Sequence, residues 1–148
     1  MNINEIKISQ LLINDLNSIS DNISSEFYDF WKLKTLQNEL TSPNRYYICA
    51  KYNNDIVGFC GINICFDYID LMNIVVNKNC RNLGIGSILL NNIITYSKSQ
   101  QNINSILLEV NENNLTAIKL YTNFGFKIIS IRKNYYKTDS AIIMKLTY

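Results

Sequence analysis

With 148 residues the chain has the length of one domain, and 47% hydrophobic residues supply a core without any apolar run of about 18 that would span a bilayer. Fourteen Lys and Arg against twelve Asp and Glu leave a net charge of +2, too little for a general pull toward nucleic acid or an acidic membrane surface. One Pro and five Gly exclude collagen-like and linker compositions, and the absence of His removes the commonest general base and the commonest metal ligand, so no metal is expected.

The four cysteines, Cys49, Cys60, Cys65 and Cys80, form no CxxC pair, which speaks against a zinc site or a disulfide-stapled fold and for buried thiols in a reducing compartment. Met1 to Lys7 lacks the hydrophobic stretch of a signal peptide, so a cytoplasmic chain is expected. Asn2 to Ile8 alternates like a strand, and Leu12, Leu16, Ile19 and Ile23 then recur with helical spacing. Leu33, Leu36 and Leu40 mark a second helix, ended by Ser42-Pro43-Asn44. From Arg45 to Val76 the chain is rich in Tyr, Ile, Val, Cys and Phe, and breaks at Asn53-Asn54-Asp55 and near Asp67 divide it into three strands joined as antiparallel hairpins. Past Gly84 the period changes: Ile85, Ile88, Leu89, Ile93 and Tyr96 line one face of a helix of about four turns. Ser105 to Asn111 reads as a strand. A shorter helix follows, with the stripe Ala117, Leu120, Tyr121 and Phe124, capped at its start by Asn113 or Asn114 and stopped by Gly125. Two last strands, about Phe126 to Arg132 and Ala141 to Leu146, complete an α/β order in which a helix joins the fourth strand to the fifth.

The most informative segment is Arg81-Asn82-Leu83-Gly84-Ile85-Gly86-Ser87, between the strand that ends at Val76 and the long helix. A strand, a glycine turn and a helix N-terminus form an anion cradle, because glycines let the backbone approach and unpaired N–H groups with the helix dipole attract phosphate oxygens. The spacing is neither that of the GKS/T phosphate loop nor that of the GxGxxG fingerprint, and a helix start that needs only tight turns would look the same. In Ser105 to Asn111, Ile106, Leu108 and Val110 share one face while Leu107 and Glu109 share the other. Glu109 is therefore a carboxylate in an otherwise apolar strand, either reaching solvent or a Lys, or doing chemistry.

Arg81, Gly84 and Gly86 match the Gln/Arg-x-x-Gly-x-Gly/Ala pyrophosphate loop of the GNAT acetyltransferase superfamily, which the chain resembles. The run Leu107-Leu108-Glu109-Val110, then Asn114, Ala117, Tyr121, Phe124-Gly125-Phe126, Arg132-Lys133-Asn134-Tyr135-Tyr136 and Ala141-Ile142-Ile143-Met144, resembles in particular its ribosomal-protein-alanine N-acetyltransferases, the RimI branch. The resemblance implies a single acetyltransferase domain over residues 1–148. Its fold would be a mixed, mostly antiparallel seven-stranded sheet with helices on both faces, splayed between strands 4 and 5, with acetyl-CoA wedged in the splay. It further implies that Ile74, Val75 and Val76 present strand backbone to the acetyl and pantetheine part, with an N–H near Val75 or Val76 on the thioester carbonyl. Asn82, Leu83, Gly84, Ile85, Gly86 and Ser87 would hold the pyrophosphate, and Asn114, also a helix cap, would contact CoA. By the same resemblance Glu109 is the base, directly or through a water, and Tyr121 the acid that protonates departing CoA, where stripe position alone would make it a core tyrosine. Arg132, Tyr135 and Tyr136 would wall a channel for a peptide N-terminus, joined by Phe30 and Trp31, although ordinary aromatic packing would account for each of these rings. The implied acceptor is a protein N-terminus, that of ribosomal protein S18, with no nucleic acid or membrane as partner. Another amine (a small molecule, a lysine or an aminoacyl-tRNA), or a CoA-binding module without turnover, is the alternative.

Overall fold

The computed structural model describes residues 1–19, 27 and 32–148. Its strands are β1 (Lys7–Gln10), β2 (Arg45–Tyr52), β3 (Asp55–Ile64), β4 (Tyr68–Val76), β5 (Ser105–Asn111), β6 (Lys127–Tyr136) and β7 (Asp139–Thr147). Its α-helices are α1 (Leu33–Thr41), α2 (Ile85–Ser99) and α3 (Leu115–Asn123). One seven-stranded sheet has the order β1-β2-β3-β4-β5-β7-β6. Every neighbouring pair is antiparallel except β4 and β5, which α2 connects in parallel. The sheet separates two cores. Leu89, Leu90 and Ile93 of α2 and Tyr121 of α3 pack with Ile69, Leu71, Ile106 and Leu108 on one face, and Leu36 of α1 packs with Leu16, Phe27, Tyr47 and Phe59 on the other.

Local chemistry explains where the elements begin and end. The β2–β3 hairpin turns at Asn53 and Asn54, both with positive φ (50° and 71°), the pair of left-handed residues that matches strand twist in a two-residue turn. α3 starts at Asn114, whose side chain accepts from the Ala117 N–H at 3.2 Å. The buried face of α2 is wider than the predicted stripe and rotated toward Leu90, Ile94 and Ser97, leaving Ile88 and Tyr96 half-buried.

The N-terminal expectations need correction. Ile3–Glu5 forms a 3₁₀ turn capped by the Asn2 side chain, so the first strand is only Lys7–Gln10. In place of a helix along Leu12, Leu16 and Ile19, a 3₁₀ turn spans Ile13–Ser18, and Ile23 lies outside the described residues. Asp15 explains the short turn: one carboxylate oxygen accepts from the Leu12 N–H at 2.8 Å and the other meets Lys51 Nζ of β2 at 2.7 Å, fixing the segment to the sheet within one turn. At the other end β6 runs past Arg132 to Tyr136 and β7 starts at Asp139, both longer than expected.

Two irregularities position the site. β4 and β5 pair over only four rungs, from Tyr68 with Ser105 to Leu71 with Leu108; above that β4 bonds only to β3 and β5 only to β7, so the strands part in a fork. At that height the β3–β4 register shifts between Gly61 and Ile62, leaving Met72 as the extra residue of a bulge. A bulge reverses which side chains face which way. Leu71 accordingly joins the α2 core, whereas Asn73, two residues on, takes the Gly61 N–H on its Oδ1 at 3.1 Å. Gly61 is required there because the Tyr47 ring crosses it: a Cβ would stand 2.1 Å from Tyr47 Cε1.

Candidate active site

The top of the fork is lined by main chain. Asn77 donates its N–H to Val57 O at 2.9 Å, and the alternation of an antiparallel ladder then makes Val75–Phe59 a bonded pair. The N–H and C=O groups of Ile74 and Val76 therefore point away from β3 into the fork, as the Arg81 Nε bond to Val76 O at 3.3 Å also shows. This narrows the expected carbonyl-polarising donor from Val75 or Val76 to Val76, with Ile74 beside it. The Val75 amide is spent on the sheet, and its side chain packs in the α1 core.

Beyond β4 the chain reaches the mouth of α2. Asn82 (φ 61°) and Gly84 (φ 84°) both adopt left-handed backbone, and Gly84 caps the helix without a side-chain bond. Ile88 donates to Gly84 O, so the N–H groups of Ile85, Gly86 and Ser87 are the ones left without a helical partner. Three amides and the positive end of a 15-residue helix thus face outward, the arrangement that binds phosphate oxygens. Ile85 contributes only its backbone, since its side chain is buried in the core; Leu83 is exposed. Arg81 braces the loop, with Nη2 donating to Phe27 O at 3.1 Å.

α3 closes the other side. A Cβ on Gly86 would lie 3.5 Å from Leu120 Cδ2 and 4.0 Å from Ile74 Cγ2, so α2, α3 and upper β4 converge there. Tyr121 is buried beneath this point against Phe126, ring centroids 5.7 Å apart. Burial, and secondarily the Cys60 thiol opposite Ile74, pushes its phenol well above the ordinary tyrosine range, so it is a protonated donor at neutral pH. Among the described residues no hydrogen bond of the Tyr121 hydroxyl competes with that use.

On the opposite face stands Glu109. Its Oε1 lies 3.1 Å from Arg132 Nη1, with the two side chains 36% and 53% exposed. The Arg132 guanidinium sits 5.6 Å from the centre of the Tyr135 ring, and Tyr135 meets Tyr136 edge-on at 5.0 Å. Burial, then the Glu109 charge, raises the Tyr136 phenol. Arg132, Tyr135 and Tyr136 thus form a half-exposed wall beside the carboxylate. Phe30 and Trp31, expected near the same channel, lie outside the described residues. Asn114 stands past the end of β5 as the cap of α3.

One neighbouring carboxylate escaped the sequence reading. Asp70 occupies the rung below the fork, level with Leu107 and therefore on Glu109's face. Burial and then the Glu109 charge raise its affinity for a proton, against the pull of Arg45. The feature that marks Glu109, an acid between two aliphatic residues of an apolar strand, is equally present in Ile69-Asp70-Leu71.

Comparison with known proteins is consistent across sequence and structure. A family profile described as "Acetyltransferase (GNAT) family" matches residues 14–126. The chain is 33% identical over 113 residues to a [ribosomal protein bS18]-alanine N-acetyltransferase of Haemophilus influenzae, covering 75% of this chain and 74% of the other. It is 27% identical to a putative protein of the same name from Bacillus subtilis over 95% of this chain and 94% of the other. The crystal structure of the ribosomal-protein-S18-alanine N-acetyltransferase from Escherichia coli superposes with a TM-score of 0.85 at 28% identity, covering 96% of this chain and 93% of that one.

Proposed function

The chain belongs to the GNAT acetyltransferase family, and from that premise we propose that it transfers acetyl from acetyl-CoA to the α-amine of a protein N-terminus, the N-terminal Ala of ribosomal protein S18 being its acceptor. The observation that carries this reading is the fork: pairing ends at Leu71 and Leu108, and the slot above has open amides on one wall, Tyr121 on one face and Glu109 on the other. In this reading the pyrophosphate rests on the Ile85, Gly86 and Ser87 amides beside Asn82 and Leu83. The pantetheine arm runs along Ile74 and Val76 toward Asn114, as an added strand would. The Val76 N–H points at the thioester carbonyl, where a fixed donor stabilises the developing oxyanion. Glu109 takes a proton from the attacking amine, directly or through a water, and Tyr121 supplies one to the leaving thiolate. Tyr135, Tyr136 and Arg132 receive the first residues of the acceptor. Action on a ribosomal protein would place the enzyme in the cytoplasm, and no described helix is long and apolar enough to cross a membrane.

The test follows thiol release from acetyl-CoA with three acceptors: a peptide with the free N-terminal Ala of S18, the same peptide blocked at its α-amine, and a blocked peptide with an internal lysine. Acetylation of the first alone is expected, with mass spectrometry locating the acetyl group on the α-nitrogen. Release with the lysine peptide or a small amine, and none with the free N-terminus, overturns the acceptor assignment.

The two loop glycines should behave differently. Gly84→Ala places a Cβ on left-handed backbone, 2.9 Å from Ile3 Cδ1, and is expected to weaken CoA binding about tenfold, since the strained conformation costs about 1–2 kcal/mol. Gly86→Ala meets only ordinary contacts, and calorimetry should find its affinity unchanged.

A further inference from the structure

Asp70 and Glu109 stand on one face of the sheet at the step where β4 and β5 part. Asp70 is level with Leu107 and Glu109 lies one pleat higher, so strand geometry separates their Cα atoms by about 8 Å. That gap suits a small cation between two carboxylates, and the two acids differ in what balances them. Glu109 has Arg132. Arg45, a cation whose charge acts on Asp70, stands two strands away and is bound to Glu39 of α1 at 2.8 Å. Among the described residues Asp70 makes no ion pair; its near neighbours are the Cys65 thiol at 4.0 Å and Tyr68. The residues outside the described set, 20–26 and 28–31, contain no Lys or Arg and bring only the acids Asp21, Glu26 and Asp29. Among the described residues, then, no cation pairs with this half-buried carboxylate, and Arg45 acts on it only through space from two strands away.

We propose that Asp70 is the residue that selects a charged amine: it receives the acceptor's α-ammonium at the fork opposite Glu109 and so sets the nitrogen beneath the thioester carbon. This rests on the acetyl-transfer reading and adds a residue to it. The ammonium arrives as –NH₃⁺, held by Asp70; one proton passes to Glu109 or its water; the freed lone pair attacks the thioester carbon; the C–S bond breaks as Tyr121 protonates the departing thiolate, and the nitrogen sheds its second proton to solvent, leaving the amide. Asp70 stays an anion throughout, so its part is recognition and placement. An ammonium has no substitute in a hydroxyl or a methyl group, because neither offers a charge to a desolvated carboxylate.

The experiment compares two peptides that differ only at the first residue, one with a free α-amine and one with hydrogen in its place, by calorimetry on CoA-saturated protein. Wild-type protein is expected to bind the amine peptide about tenfold more tightly or better, the scale of a hydrogen bond to a charged group. Asp70→Asn should bind both within about twofold, and Asp70→Glu should restore part of the preference. In turnover, Asp70→Asn should raise the peptide KM about tenfold, leaving the acetyl-CoA KM and the melting temperature unchanged. The preference should also depend on pH. Burial and then Glu109 raise the Asp70 pKa, so the wild-type preference should fade as acid protonates Asp70, at a higher pH than for an exposed Asp. Arg45, Cys65, Tyr68, Glu109 and Arg132 are unchanged in the variant, so a flat profile for Asp70→Asn isolates the effect. A wild-type preference retained by Asp70→Asn, or a wild-type enzyme that acetylates the amine peptide yet binds both peptides equally, overturns the proposal. Wild-type protein inert toward every peptide amine overturns the acceptor assignment itself, and the proposal with it.

Discussion

Glu109→Gln is expected to lower kcat/KM for a peptide amine by about 10² to 10³-fold at neutral pH, the range usual for loss of a positioned general base. The substitution keeps the size of the side chain, and Glu109 lies outside both cores, so the fold is not at stake. The ion pair with Arg132 is exposed enough that its loss costs no more than about 1 kcal/mol. The acid–base function is what the change removes. An α-amine has an ordinary pKa of about 8, so its free-base fraction grows as the solution becomes alkaline and the need for a protein base shrinks. The deficit of Glu109→Gln should therefore be largest at mildly acidic pH and narrow above about pH 8. Thiol release followed across that range decides the matter, and a constant deficit, or none, removes Glu109 from the proton path.

Tyr121→Phe is expected to reduce kcat about 10²-fold with little change in acetyl-CoA affinity. The tyrosine as a whole is 8% exposed, and among the described residues its hydroxyl makes no hydrogen bond, so its removal leaves no orphaned partner. The ring and its contact with Phe126 remain, and the melting temperature should hold or rise slightly. The pKa of the phenol is displaced upward, so it is protonated across the working range and its donor role does not fade near neutrality. The telling measurement is the leaving group: a thioester of a more acidic thiol needs less help in departure and should recover much of the lost rate. Full activity with acetyl-CoA would return Tyr121 to the role of a core residue.

The legible parts of this chain were those where one physical signal acts alone. The strand Ser105–Asn111 and its split faces followed from period-two alternation, and a cap at Asn113 or Asn114 from amide chemistry, with the structure deciding for Asn114. The N-terminal segment was misread because a partner 36 residues away decides it: Asp15 bonds Lys51, and a local pattern carries no trace of that pairing. The bulge at Met72 was equally hidden, since Leu71-Met72-Asn73 gives no mark of a register shift that lies opposite Gly61, where the Tyr47 ring crosses β3. That shift decides which of the Ile74, Val75 and Val76 amides can face a ligand. The continuation of β6 to Tyr136 has the same origin, for Lys133-Asn134 has no strand pattern and the ladder, irregular past Arg132 with Ala141, closes again on β7 only at Tyr136 with Asp139. Asp70 is a different failure, because its signal was in the sequence and gained force only when the register put it beside Glu109.

The fork makes the sheet a zip left half undone, and its donor substrate would complete the missing teeth. Amide protons of Ile74 and Val76 should accordingly exchange with solvent quickly in the empty protein and slowly once CoA lies along them, while those of the closed rungs near Leu71 and Leu108 are slow in both. By mass action the whole chain should then melt at a higher temperature as donor is added, rising with the logarithm of its concentration. An enzyme built this way reports in its own rigidity how much acetyl donor surrounds it.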